Sequence, residues 1–176
     1  PLRGETFVTR KITRGLAQIV LGLSDRLYMG NLDAQRDWGH AKDYVEAMWL
    51  ILQQEKPEDY VIATGITTTI REFIRMAFVE LGITLAFEGT GADEKAVVRA
   101  CANPEFQLPI GKIVVEVDPA YFRPTEVELL IGDPTKAMKQ LNWKPKYDLH
   151  ALVKEMVWSD VELFQQNRDT YTPVYE

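Results

Sequence analysis

Two short segments each carry an arginine beside residues that could complete an anion site. In the first, Pro124 stiffens the loop directly after Arg123, and Glu126 follows three residues after the arginine. A guanidinium can bind phosphate oxygens through two charge-assisted hydrogen bonds, and a carboxylate can accept one from a ribose hydroxyl. The pattern therefore suits a nucleoside diphosphate. A surface ion pair between Arg123 and Glu126, worth about 0–1 kcal/mol, would explain the same spacing.

The second segment is Arg36-Asp37-Trp38-Gly39-His40, which precedes a predicted helix. Arg36 offers the same planar donor group for phosphate. Asp37 could instead be the N-cap of that helix, and Trp38 could be a core anchor. We therefore interpret these two neighbours as structural and keep Arg36 as a candidate ligand of phosphate.

A third set of charges surrounds the start of the first predicted helix: Arg3, Arg10, Lys11 and Arg14. The unpaired N–H groups and the dipole of a helix N-terminus favour an anion at this position. Lys11 lies at the edge of the apolar stripe of the helix, so its side chain is a candidate for ligand contact. A solvated basic face is the alternative for Arg10 and Arg14.

The elements that must position these residues alternate between helices and short strands, which indicates an α/β fold. Helical periodicity predicts helices that begin near residues 8, 41, 69 and 149, and Asp133-Pro134 predicts the start of a short one. Apolar runs predict strands at 27–30, 59–64, 83–89 and 112–118, with loops at 31–40 and 89–111. Five residues of the second helix are expected to face the core: Ala41, Tyr44, Val45, Met48 and Leu52. Asp160 falls on the apolar stripe of the last helix and should be buried and hydrogen-bonded.

Composition describes an ordinary globular chain of 176 residues with a net charge of −6, which disfavours nucleic acid or an anionic membrane as a partner. The single Cys101 excludes a disulfide framework and suggests a reducing compartment, so we expect a cytoplasmic location. The two histidines are far apart in sequence, and we expect no metal site. The sequence contains neither a Gly-x-Gly-x-x-Gly turn nor a Tyr-x-x-x-Lys pair, so we assign it no catalytic residue.

The chain begins with PLRGETF, without an initiator Met, and enters a helical pattern almost at once. We therefore expect a fragment of a longer protein. Residues 1–167 are predicted to form one incomplete portion of it. Residues 168–176 lack periodicity and are predicted to be a mobile tail.

Four segments together carry a family resemblance: PLRGETFVTRKI, LYMGNLDAQRDWGHAKDYVEAMWLILQQEKPEDYVIATG, VDPAYFRPTEVELLIGDPTKA and LNWKPK. They resemble the C-terminal half of the GDP-mannose 4,6-dehydratase family, part of the extended short-chain dehydrogenases/reductases. The resemblance covers residues 1–165 and is weakest at 88–111. It implies the substrate-binding lobe and the end of a Rossmann-type enzyme, without the N-terminal cofactor-binding lobe.

The resemblance also implies function. The family uses NADP, held mainly by the N-terminal lobe, to convert GDP-mannose into GDP-4-keto-6-deoxy-mannose, a precursor of GDP-fucose. It implies a cofactor contact at Arg3 and substrate contacts at Val8, Lys11, Asn31, Arg36, Arg123 and Glu126. The expected partners are GDP-mannose, the N-terminal lobe and further copies of the enzyme in a dimer or tetramer.

Two alternatives stay open. The chain could belong to another nucleotide-sugar epimerase or reductase of the same superfamily, since those enzymes also bind phosphate with an arginine and ribose with a carboxylate. It could also be a non-catalytic module that binds a GDP-sugar. In each case this chain alone is predicted to be inactive, because hydride transfer needs a bound nicotinamide and a base.

Overall fold

The computed structural model describes residues 1–167, which fall into two compact units. The first unit comprises Pro1–Leu32, Arg71–Glu126 and the described residues from Val153 onward, and the second comprises Asp33–Ile70 and Val127–Leu152. In chain order the elements are α1 (Val8–Val20), β1 (Leu27–Met29), β2 (Gln35–Asp37), α2 (Ala41–Leu52), β3 (Thr67–Thr69), α3 (Ile70–Glu80), β4 (Ile83–Glu88), β5 (Lys95–Cys101), β6 (Ile113–Val117), β7 (Leu129–Leu130), α4 (Thr135–Gln140) and α5 (Leu149–Gln166). The predicted mobile tail at residues 168–176 lies outside the described residues.

The first unit contains a mixed four-stranded sheet with the order β1-β6-β5-β4. β1 runs parallel to β6, and the other two pairs are antiparallel. α1 lies close to β1 because Gly15 has no side chain: an added Cβ would stand 2.8 Å from Cδ1 of Leu27. The predicted stripe of α1 is confirmed, since Ile12, Leu16 and Ile19 are buried. This contact fixes the helix that carries Lys11.

A buried carboxylate joins α5 to α1 within the same unit. Asp160 is fully buried, and its Oδ1 accepts a hydrogen bond of 2.8 Å from Nε of Arg10. Its Oδ2 accepts one of 2.6 Å from the hydroxyl of Thr13. The prediction of a buried, hydrogen-bonded Asp160 is confirmed.

The second unit contains a three-stranded sheet with the order β3-β2-β7, in which β2 pairs antiparallel with β3 and parallel with β7. Its core is formed by Ala47 of α2 with Ala137, Leu141 and Trp143 in and after α4. The indole N–H of Trp143 donates to the backbone carbonyl of Asp43 at 2.9 Å. The unit is therefore organised by contacts of α2 with the segment around α4.

α2 occurs where predicted, but the prediction of its inner face is wrong. Three residues expected inside are exposed by 63%, 61% and 80%: Val45, Met48 and Leu52. The buried face instead carries Ala47 and Asp43. Oδ2 of Asp43 accepts hydrogen bonds of 3.1 Å from the backbone amides of residues 146 and 147. These bonds and the contact of Ala47 turn the small and polar side of the helix inward.

Three loop or strand predictions also differ from the structure. The polar segment 31–40 contains β2, a strand specified by pairing with β3 and β7 rather than by its own sequence. Residues 59–64 form no strand, because Tyr60 and Ile62 pack on the cluster around Trp143. Segment 89–111 contains β5, which lies between β4 and β6. The predictions of α1, α3, α5, β1, β4 and β6 are confirmed.

Candidate functional site

The loop formed by residues 118–126 is held against the end of β1. The amide of Asp118 donates to the carbonyl of Met29 at 2.9 Å, and the amide of Tyr121 donates to the carbonyl of Asp118 at 2.9 Å. Gly30 permits this approach, since an added Cβ would lie 2.5 Å from the carbonyl oxygen of Tyr121. Residue 30 must therefore be glycine while the loop keeps this path.

Asn31, which directly follows Gly30 beyond the end of β1, holds the same loop. Its Nδ2 donates to the carbonyl of Arg123 at 2.8 Å, and the amide of Arg123 donates to its Oδ1 at 2.8 Å. The side-chain amide of Asn31 thus bonds to both the carbonyl and the N–H of Arg123 and fixes the backbone at that residue. The geometry gives Asn31 a positioning role, and a direct contact with substrate stays a prediction.

Arg123 is exposed at the tip of this loop, and Glu126 is partly buried. The amide of Glu126 donates to the carbonyl of Arg123 at 3.3 Å. Within the described part of the first unit, the Arg123 guanidinium makes no hydrogen bond or ion pair, so the surface ion pair with Glu126 does not form. A fixed backbone with an uncommitted guanidinium is the arrangement that an anion-binding arginine needs.

Lys11 lies in the first turns of α1, with its ammonium against the loop. Its Nζ stands 4.1 Å from the ring centroid of Tyr121, a cation–π contact. Partial burial lowers the pKa of Lys11 below its ordinary value of 10.5, and the negative charge of Asp118 offsets part of that effect. Lys11 is thus a partly desolvated cation, which gains from an acceptor on a ligand.

A cavity of 480 Å³ opens beside Lys11 within the first unit. Its size falls in the range of small-molecule sites. Its wall combines cationic, carboxylate, hydroxyl, amide, aromatic and apolar groups: Glu5, Thr6, Lys11, Arg14, Gly15, Gln18, Ser24, Arg26, Leu27, Tyr28 and Tyr121. Two of the cations are already paired, Arg14 with Glu5 at 3.1 Å and Arg26 with Glu116 at 2.6 Å. Lys11 is therefore the cation of this wall that has no ion pair within 4 Å among the described residues.

The segment before α1 carries the remaining candidates of the first unit. Arg3 is exposed and lies 3.8 Å from the ring centroid of Phe7. The guanidinium of Arg10 donates to the carbonyl of Arg3 at 2.9 Å, so the buried pair with Asp160 also holds this segment. Val8 is the first residue of α1 and is partly buried. The cofactor contact of Arg3 and the substrate contact of Val8 stay predictions.

Arg36 lies in the second unit, on β2. Its guanidinium donates to the carbonyls of Gln35 at 2.8 Å and Val127 at 2.7 Å. Its role as a phosphate ligand stays a prediction. Asp37 is not the N-cap of α2, which is His40. Instead, the carboxylate of Asp37 accepts bonds from the amide and hydroxyl of Thr64 at 3.0 and 2.6 Å.

Sequence reasoning missed Gly30 and Tyr121 as members of the site. Both lie in segments that carry the family resemblance, but neither a glycine nor a tyrosine by itself indicates a ligand-binding residue. The available signal was the pairing of a glycine before Asn31 with an aromatic residue two positions before Arg123. Only the fold shows that these two segments meet.

Residues 1–167 contain no group of three His, Cys, Asp or Glu side chains that could hold a metal ion. In the same range, none of the helices has both the length and the apolar character needed to cross a bilayer.

Solved structures share this fold at low sequence identity. The structure of RMD from Pseudomonas aeruginosa complexed with NADPH superposes with a TM-score of 0.70 at 18% identity, covering 93% of this chain and 45% of that one. The dTDP-glucose 4,6-dehydratase of Bacillus anthracis superposes with a TM-score of 0.63 at 16% identity, covering 99% of this chain and 44% of that one. This chain therefore shares its fold with slightly less than half of each of those two proteins.

Sequence comparison gives the particular family. Residues 1–156 match the family described as GDP-mannose 4,6 dehydratase. The chain is 55% identical over 168 residues to the GDP-mannose 4,6-dehydratase of Vibrio cholerae and 52% identical over 167 residues to that of Homo sapiens. These matches cover 95% of this chain but 45% and 42% of the relatives. The chain belongs to the GDP-mannose 4,6-dehydratase family and spans about half the length of the curated relatives it matches.

Proposed function

We propose that this chain is the C-terminal, sugar-nucleotide-binding portion of a GDP-mannose 4,6-dehydratase. The parent enzyme would convert GDP-mannose into GDP-4-keto-6-deoxy-mannose, with hydride passing through NADP within one active site. The observation that carries the proposal is identity of more than half of the residues to such dehydratases across nearly the whole chain. The uncommitted guanidinium of Arg123 and the partly desolvated Lys11 support a nucleotide ligand independently of that likeness.

In this proposal the parts of the ligand meet different groups of the chain. Arg123 of the first unit is a phosphate ligand, because a planar guanidinium matches phosphate oxygens, and Arg36 of the second unit is proposed separately as a phosphate ligand on the same ground. Glu126 accepts from a ribose hydroxyl, and Lys11, with the backbone near Val8, faces the base. Asn31 acts by holding the Arg123 backbone.

The nicotinamide cofactor does not fit a site made by residues 1–167 alone. Arg3 is a single exposed cation, and the sequence contains no glycine-rich turn between a strand and a helix. We therefore propose that a separate lobe makes most of the contacts with NADP. This chain adds one contact, from Arg3. No chemical step is assigned to residues of this chain.

Calorimetric titration of the 176-residue chain with GDP tests the binding role. Arg123→Ala should weaken GDP binding by about tenfold or more, the loss of one charge-assisted contact. Arg99→Ala is a matched control, because Arg99 is an exposed arginine of the same unit that pairs with Glu88. Equal affinity of the two variants, or no GDP binding by the unaltered chain, would contradict the proposal.

Activity gives a second test. The chain incubated with GDP-mannose and NADP should form no 4-keto sugar, because it contains no Tyr-x-x-x-Lys pair. Product formation would show that the chemistry resides in this portion. The cytoplasmic location and the assembly into dimers or tetramers belong to the same proposal, and the size of the assembly is measured by light scattering of the full-length enzyme.

A further inference from the structure

The N-cap of α2 is a histidine, and the bond that it makes needs a neutral ring. Nδ1 of His40 accepts a hydrogen bond of 3.2 Å from the backbone amide of Lys42. That amide lies in the first turn of the helix, where no helical carbonyl four residues earlier can accept from it. A ring nitrogen accepts only while it carries no proton, because both nitrogens of an imidazolium are donors. The cap is therefore made only by neutral His40.

The ring of His40 is enclosed within the second unit, so water does not readily replace a lost partner. His40 is 4% exposed, and its ring stacks on that of Tyr147 with the centroids 4.4 Å apart. The amide of Tyr147 donates at 3.1 Å to Oδ2 of Asp43, which lies in the first turn of α2. His40 and Asp43 thus both lie against Tyr147 at the start of the helix.

The carboxylate of Asp43 has one oxygen without a hydrogen bond. Asp43 is buried, and its Oδ2 accepts from the amides of Lys146 and Tyr147. Its Oδ1 is also buried, but it accepts no hydrogen bond from any residue within 1–167. Buried oxygens in proteins are nearly always hydrogen-bonded, so this oxygen is available to a donor that forms beside it.

The charges around the ring have both signs. The titratable side chains of α2 and of the facing turn in this region are those of Lys42, Asp43, Tyr44, Glu46, Lys146 and Tyr147. Glu46 is paired with Lys146 at 2.5 Å, and the ammonium of Lys42 stands 5.4 Å from the ring centroid of Tyr147. A proton on His40 adds a second positive charge beside Lys42. The carboxylate of Asp43 offsets that charge and can accept the new N–H.

We propose that His40 and Asp43 form a pH-sensitive switch at the start of α2. In the neutral state, Nδ1 of His40 accepts from the amide of Lys42. When Nδ1 takes up a proton from solvent, that bond is lost, and the new N–H donates to Oδ1 of Asp43 instead. The proposed function assigns no role to His40 or Asp43, so the switch and the proposed function are tested separately.

NMR spectroscopy of the 176-residue chain tests the switch between about pH 8 and pH 5, the range in which histidines titrate. Ordinary carboxyl groups stay ionised over this range. As the ring signal of His40 reports protonation, the protection of the Lys42 amide against hydrogen exchange should fall about fivefold, the effect of losing an N-cap. The carboxyl ¹³C signal of Asp43 should shift at the same pH.

Two variants separate the switch from a general effect of acid. His40→Asn keeps an acceptor at the N-cap and removes the titration, so the Lys42 amide should keep its protection over the whole range. His150→Asn is the matched control, because His150 is the other histidine of the chain and is exposed, so the change at Lys42 should persist.

Three results would overturn the proposal. The Lys42 amide could stay protected while His40 is protonated, it could lose protection equally in His40→Asn, or the carboxyl signal of Asp43 could fail to respond. If His40→Asn does not fold, the ring, amide and carboxyl signals of the unaltered chain still give the first and third of these results.

Discussion

Replacing Asp160 with alanine tests the buried link between α5 and α1. The carboxylate is fully buried and accepts bonds from Arg10 and Thr13 at 2.8 and 2.6 Å. Arg10 is itself nearly buried, with 11% of its side chain exposed. Removing one partner of such a pair leaves an uncompensated charge in the interior and costs about 3–5 kcal/mol. Typical domains have only about 5–15 kcal/mol of stability, so the loss should be large.

Urea unfolding followed by circular dichroism measures this loss. The urea concentration at the midpoint should fall, while the slope of the unfolding free energy against urea concentration should stay constant. The double variant Arg10→Met with Asp160→Leu removes both charges and fills the space with apolar groups, so it should lose much less than Asp160→Ala. Equal losses in the single and double variants would mean that volume, rather than the uncompensated charge, causes the effect. A loss below about 1 kcal/mol in Asp160→Ala would refute the reasoning, because no buried charge would then have been left unpaired.

Three further perturbations test other parts of the structure. Gly30→Ala should displace the loop at residues 118–126 and destabilise the chain by about 1–3 kcal/mol, measured by urea unfolding, since its Cβ would overlap a backbone carbonyl. Asp118→Asn should lower the pKa of Lys11 further, because the charge that raises it is lost; an NMR titration of the Lys11 side chain that shows no downward change would contradict this. Met48→Lys should change stability by less than about 0.5 kcal/mol, whereas Ala47→Lys should unfold the second unit, because only the latter is buried.

Elements with strong periodicity were predictable, and those made by tertiary pairing were not. α1, α3 and α5 follow their apolar stripes, and the buried Asp160 could be predicted from its place on one of them. β2 could not be predicted, since its polar residues become a strand only between β3 and β7. Sequence patterns report which residues tend to be buried, but not which distant segment supplies the hydrogen-bond partners.

The reversed face of α2 shows a second limit. Its larger apolar residues predict one inner face, yet the helix buries the small Ala47 and the charged Asp43. The carboxylate of Asp43 bonds to two backbone amides and so overrides the apolar stripe. A hydrophobicity pattern reflects only the free energy of transferring each side chain out of water. It does not include the hydrogen bonds that a buried carboxylate accepts from backbone amides of another segment.

The candidate site divides its polar residues between two tasks, and their chemistry explains the division. Asn31 is short and its side-chain amide reaches backbone groups directly, so it fixes the loop at residues 118–126. Lys11 and Arg123 are long and carry donors only, so a fixed backbone leaves their charged ends available to a ligand. Residue type alone makes Asn31, Lys11 and Arg123 equal candidates. What separates them is whether the fold has already given each side chain a backbone partner, and that information becomes available only when Gly30 lets the loop at residues 118–126 meet the end of β1.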